Sequence, residues 1–134
     1  MASEPVLVDT SCWIDYFNRP GTEIATAVEA LVRDDRAALT GVVLAELSQG
    51  ARNEHELSEL GEALGAVVWI ETTRETYTRA SRLAFELRRE GITVPITDCI
   101  IAATSEFVGG RILTLDTHFQ EIAGIASLTL LPGL

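Results

Sequence analysis

In Val6-Leu7-Val8-Asp9-Thr10-Ser11-Cys12-Trp13-Ile14-Asp15, three consecutive apolar residues run straight into an acid. An apolar run this short and unbroken suits a strand buried on both faces, as in a parallel sheet covered by helices. Ile112-Leu113-Thr114-Leu115 repeats the pattern and again ends directly at an acid, Asp116. Further strands are expected over residues 37–40, 66–70 and 127–131. Between them, Ile24, Ala27, Val28, Leu31 and Val32 recur at helical spacing after Pro20-Gly21, and so do Ala80, Leu83, Ala84 and Leu87. Helices are also expected over 42–53, 54–64, 97–108 and 117–123, with Gly109-Gly110 closing the third of these. Helices and strands alternate, which is the pattern of an α/β sandwich with a largely parallel sheet.

With 134 residues, 47% of them hydrophobic, the chain suffices for one packed core, and residues 1–134 read as a single domain. The start, Met1-Ala2-Ser3-Glu4-Pro5, lacks the positive charge of a secretory signal, and Pro, Asp, Glu or Arg interrupts every apolar stretch short of a membrane span. A soluble cytoplasmic protein with no membrane partner is expected. Cys12 and Cys99 lie in no zinc-binding or disulfide pattern and read as reduced thiols. A net charge of -10 excludes a generic nucleic-acid coating protein, so any nucleic-acid role must come from a local site. All ten basic residues are Arg, which removes the phosphate lysine of a P-loop and any Schiff-base chemistry, and counts against a phosphoacceptor receiver domain.

Most of the twenty acidic residues, such as Glu54, Glu56, Glu59 and Glu62, suit solvated helix faces. Asp9, Glu46, Asp98 and Asp116 sit instead among apolar neighbours, where a charge costs several kcal/mol unless it is paired or bound to metal. In an open α/β sheet, sites form at the carboxyl ends of strands, and Asp9 and Asp116 occupy such ends. Thr97 can cap the helix that carries Asp98 in its first turn, and Glu46 falls early in the helix after the 37–40 strand. Taken singly, each acid has a plainer reading as a cap, a turn residue or a surface residue. Four together on one pocket would repel one another, and a hard divalent cation is their natural counterion. Oxygen ligands favour Mg²⁺ or Mn²⁺ and imply phosphoryl chemistry, with Glu46 or Asp116 the candidate proton acceptor.

These residues carry a resemblance. The opening Val8 to Asp15, then Leu44-Ala45-Glu46-Leu47 with Gly50, then Thr97-Asp98-Cys99-Ile100-Ile101-Ala102-Ala103, then Leu113-Thr114-Leu115-Asp116-Thr117-His118-Phe119, resemble in order the four motifs of PIN-domain ribonucleases of the VapC toxin type. The resemblance implies a three-layer α/β/α sandwich with a mainly parallel central sheet. It implies endonucleolytic RNA cleavage with Mg²⁺, or Mn²⁺, held by Asp9, Glu46, Asp98 and Asp116. A hydroxyl beside the first acid, here Thr10 or Ser11, would support the metal shell or cap the next helix. It further implies a cognate VapB-type antitoxin lying across the groove, and a toxin homodimer. Asp15 reads as structural, and His118 as a helix-start or surface residue in preference to a general base.

Arg74, Arg79, Arg82, Arg88 and Arg89 face only Glu75 and Glu86 within their span, so Arg79 and Arg82 are candidates for RNA phosphates, against an equal prospect of a face laced with i,i+4 ion pairs. Two other functions compete. A haloacid-type phosphatase would need an acid where Ser11 stands and a lysine the chain lacks. A non-catalytic interaction module would need no acids at strand ends.

Overall fold

The computed structural model describes residues 4–131. Its twelve elements are β1 (Val6–Val8), α1 (Thr10–Asn18), α2 (Glu23–Arg33), β2 (Ala37–Leu39), α3 (Gly41–Gln49), α4 (Glu54–Leu64), β3 (Val68–Trp69), α5 (Arg74–Arg89), α6 (Ile96–Glu106), β4 (Arg111–Leu113), α7 (His118–Ala123) and β5 (Thr129–Leu131). The strands form one sheet in the order β3-β2-β1-β4-β5, every pair parallel. Parallel strands cannot be joined by tight hairpins, so each connection carries helix, and the helices cover the sheet as the outer layers of an α/β/α sandwich.

Burial follows position in the sheet. Val6, Leu7 and Val8 in the central strand have no exposure, whereas Val68 and Trp69 at one edge are half-buried and exposed. That gradient explains why the central strands read as unbroken apolar runs and why β3 is two residues long where five were expected. The register sets Leu7 opposite both Ala38 and Ile112. The chain builds outward from β1 through β2 to β3, then crosses back to place β4 on the other side of β1. The reversal puts a topological switch point between β1 and β4, where the loops after the two strands diverge.

Local chemistry sets the helix ends. Thr22 caps α2 through Ala25 N–H, Asn53 caps α4 through Glu56 N–H, and Thr73 with Thr76 forms a reciprocal capping box on α5. Because Asn53 is committed to starting α4, the expected 42–53 helix stops at Gln49. The helix carrying Asp98 begins at Ile96 behind Pro95, so Thr97 lies inside the helix and caps nothing. Residues 90–95 join α5 to α6, which pack against each other, and Ala80, Leu83 and Leu87 of α5 are buried. Gly109 and Gly110, at φ of +108° and +77°, reverse the chain from α6 into β4. Cys12 and Cys99 are both buried and unpaired, and burial pushes the Cys12 thiol up to about 12. No helix among the described residues is long and apolar enough to cross a membrane.

Candidate active site

Asp9 follows β1 directly and is 5% exposed. It stands at the N-cap of α1, yet its side chain caps nothing. Its Oδ2 instead accepts from Ser11 Oγ at 3.1 Å and from Thr114 Oγ1 at 2.9 Å. Burial raises the Asp9 pKa above the ordinary carboxylate range, and the nearby Asp116 charge adds to the rise, while hydrogen bonds from Thr114, the Thr10 amide and Ser11 oppose it. The carboxylate is therefore held by hydroxyls and an amide, with no arginine among its partners.

Asp98, in the first turn of α6, is 7% exposed. Burial, reinforced by the charges of Asp116 and Asp9 and partly offset by His118, lifts it to about 6. Asp116 lies three residues beyond β4, and Thr114 between them still bonds β5 through its backbone N–H. Thr114 Oγ1 accepts the Asp116 amide at 2.9 Å while donating to Asp9, so one hydroxyl ties the ends of two neighbouring strands. Asp116 Oδ1 in turn accepts from His118 N–H at 2.9 Å.

Glu46 sits past the middle of α3 rather than early in it, and is half-buried. It reaches the group through Thr10, whose Oγ1 donates to Glu46 Oε1 at 2.8 Å. The tightest set is Asp98, Asp116 and His118, which offer one ligand atom each within 4.8 Å of one another. Asp9 adjoins this set through Thr114, and Glu46 adjoins Asp9 through the start of α1. Thr10 and Ser11 thus bond to two different acids, and neither caps α1.

The arginines lie otherwise than their spacing suggests. Arg79 makes a two-pronged pair with Glu106, at 2.8 and 3.1 Å, and reaches the Ile125 carbonyl at 3.5 Å. Burial opposes ionisation of Glu106, but the Arg79 guanidinium and the Ser127 amide outweigh it and hold the carboxyl below its usual range. Glu106 ends the helix whose first turn carries Asp98, about 12 Å further along its axis at 1.5 Å per residue. Arg79 is therefore fixed away from the acids. Arg82 pairs with Glu86 at 2.9 Å, and its guanidinium lies 5.6 Å from the centre of the Phe85 ring. Asp15 bonds no other acid's partner and faces Arg19 at 3.9 Å.

Two members of this group were not legible as such in the sequence. Thr114 read as one more residue of a strand, and only its hydroxyl within an otherwise apolar run distinguished it. His118 read as a surface or helix-start residue, but its Nδ1 lies 3.1 Å from Asp98 Oδ2 and 3.0 Å from Asp116 Oδ1.

Fold and site together define a class: a small, fully parallel α/β sandwich that gathers acids from β1, α6 and the segment after β4 at the switch point of its sheet. The PIN-domain family model matches residues 6–125. The chain belongs to the PIN-domain family. It is 31% identical over 127 residues to a VapC ribonuclease of Mycobacterium bovis, covering 92% of this chain and 95% of that one. It is 35% identical over 122 residues to Ribonuclease VapC51 of Mycobacterium tuberculosis, covering 89% and 85%. Among solved structures, VapBC2 from Rickettsia felis bound to a promoter DNA fragment shares the fold with a TM-score of 0.78 at 22% identity, over 93% of this chain and 96% of that one. VapBC-5 of Mycobacterium tuberculosis, a toxin-antitoxin system, aligns at 0.69 and 25% identity, over 96% and 98%.

Proposed function

We propose that this protein is the toxin of a toxin-antitoxin pair and acts as a metal-dependent endoribonuclease, with Asp9, Glu46, Asp98 and Asp116 as its acidic site. The observation that carries the reading is the burial of Asp9 and Asp98 beside Asp116 with no Arg among their partners. The donor set fits Mg²⁺ or Mn²⁺: it is dominated by hard carboxylate oxygens, its members have raised pKa values where they are buried, and a cation relieves both burial and mutual repulsion. When bound, such an ion supplies Lewis acidity toward the scissile phosphate and the attacking water.

The chain's own residues supply the rest. Asp98 and Asp116 would hold the ion, with Asp9 beside them as a further ligand. Thr114 and Ser11 fix the Asp9 carboxylate from two sides, and Thr114 sets its spacing from Asp116. Glu46, outside the tightest set and held by the Thr10 hydroxyl, is the carboxylate left to accept a proton from the water. Of the two arginines, Arg82 has a side chain 62% exposed and can exchange Glu86 for an RNA phosphate, whereas Arg79 is committed to Glu106. An antitoxin as partner is supported by the likeness to VapBC-5 at 25% identity and to a toxin-antitoxin complex from Klebsiella pneumoniae at 26% and a TM-score of 0.73, over 92% of this chain and 95% of that one.

The test is incubation of wild type, Asp9→Asn and Thr114→Val with total RNA in Mg²⁺, Mn²⁺ or EDTA, with fragment ends mapped. Discrete cuts by wild type that EDTA abolishes are expected, with at least a roughly hundredfold loss in Asp9→Asn and a loss of about 10- to 100-fold in Thr114→Val. RNA left intact by wild type in both metals, together with no divalent binding that depends on Asp9, would sink the catalytic reading in favour of an interaction module.

A further inference from the structure

His118 is the group near the acids that the carboxylate reading leaves without a task. Its Nδ1 stands 3.1 Å from Asp98 Oδ2 and 3.0 Å from Asp116 Oδ1. Two ligands held about 2.1 Å from one ion and at right angles to each other lie about 3.0 Å apart. Both spacings therefore match neighbouring corners of a single coordination shell. The three ligand atoms lie within 4.8 Å of one another, close enough for one ion to touch all three.

Resting on the metal-dependent reading above, we propose that His118 Nδ1 is a ligand of the divalent cation beside Asp98 and Asp116, and that this nitrogen tilts the site toward Mn²⁺ over Mg²⁺. The ring is placed for the role by its own backbone, since His118 N–H donates to Asp116 Oδ1 at 2.9 Å and binds ligand and neighbour into one turn. Neutral imidazole carries its proton on either nitrogen, so ligation through Nδ1 requires only that the proton sit on Nε2. Charge pairing alone gives a side chain that is 44% exposed little reason to face two carboxylates, because solvent screens such pairs. Imidazole suits transition-metal ions, whereas Mg²⁺ takes oxygen, so a nitrogen in the shell separates two ions that a purely carboxylate site would treat much alike.

The experiment uses the full chain and the metals alone. Mn²⁺ binding is titrated by the loss of the free-ion electron paramagnetic resonance signal, Mg²⁺ by competition, for wild type, His118→Ala, His118→Asn and Asp98→Asn. Both His118 substitutions are expected to weaken Mn²⁺ roughly tenfold or more while leaving Mg²⁺ within about threefold. Pulsed resonance of Mn²⁺-loaded wild type is expected to show the nitrogen coupling of a bound imidazole. The coupling should vanish in His118→Ala, in which His55, paired with Glu59 on α4, remains. Mn²⁺ bound in an Asp98-dependent way without nitrogen coupling would overturn this proposal and leave the metal-dependent reading standing. Wild type that binds no Mn²⁺ would overturn both. The wild-type spectrum decides the matter even if a variant folds poorly.

Discussion

Asp98 shows how a buried acid taxes the fold that carries it. In the unfolded chain its carboxyl titrates near 3.8, whereas in the folded protein burial and the neighbouring acids lift it to about 6. Between those values the folded state holds the proton more tightly than the unfolded state does, so stability falls as pH rises from about 4 to about 6. In EDTA, urea denaturation should therefore find the wild type less stable at pH 7.5 than at pH 4.5, by about 2 kcal/mol from this group. Asp98→Asn should be more stable than wild type at pH 7.5 and should lose that advantage by about pH 4. An advantage that does not change with pH would mean that the carboxyl is not destabilised by burial. Thr114 and His118 belong to the same scale and explain where reading from sequence stops. Asp9 and Asp116 were legible because a charge after an apolar run is anomalous by itself, whereas a threonine or a histidine is ordinary anywhere. Their roles exist only once residues 9 and 114, 105 positions apart, come within 2.9 Å.

At the scale of elements, the alternation of helices and strands was legible in the chain and their ends were less so. The expected strand over 112–115 stops at Leu113, with the Thr114 hydroxyl donating to Asp9, and the helix expected to start at Thr97 starts at Ile96 behind a proline. A local proline accounts for the second boundary, whereas the first lies where residues distant in the chain meet. The reversal from α6 into β4 is the element-level feature on which the position of Asp116 depends. Gly110 adopts a φ of +77°, and a Cβ there would run into the Ser127 carbonyl oxygen. Gly91 has a similar φ of +79° but nothing within 4 Å of such a Cβ. Gly91→Ala should cost about 1–2 kcal/mol, the expense of the left-handed backbone alone, and Gly110→Ala distinctly more. Thermal or urea melts of the pair check this. Equal costs would show that β5 yields to the added methyl and that the reversal is not rigid.

Across the whole molecule, the net charge of -10 is concentrated at one point in its energetic effect, since most acids are solvated while Asp9 and Asp98 are buried. A cation that binds only the folded state stabilises it by mass action, about 2.7 kcal/mol at a hundred times the dissociation constant. Mn²⁺ or Mg²⁺ should therefore raise the melting temperature of wild type and leave that of Asp9→Asn much less changed, measured by differential scanning fluorimetry at constant ionic strength. An equal rise in both would assign the effect to general screening of the acidic surface.

The order of the strands bears on how such a protein is made. β1 is the central strand, and its second neighbour does not begin until Arg111. A chain still emerging from the ribosome carries Asp9, Glu46 and Asp98 long before it carries Thr114, Asp116 and His118. The pocket is thus among the last features to exist, because it waits for the strand that completes the sheet around its centre. Whatever chemistry the pocket performs cannot begin until nearly all of the described chain has been made.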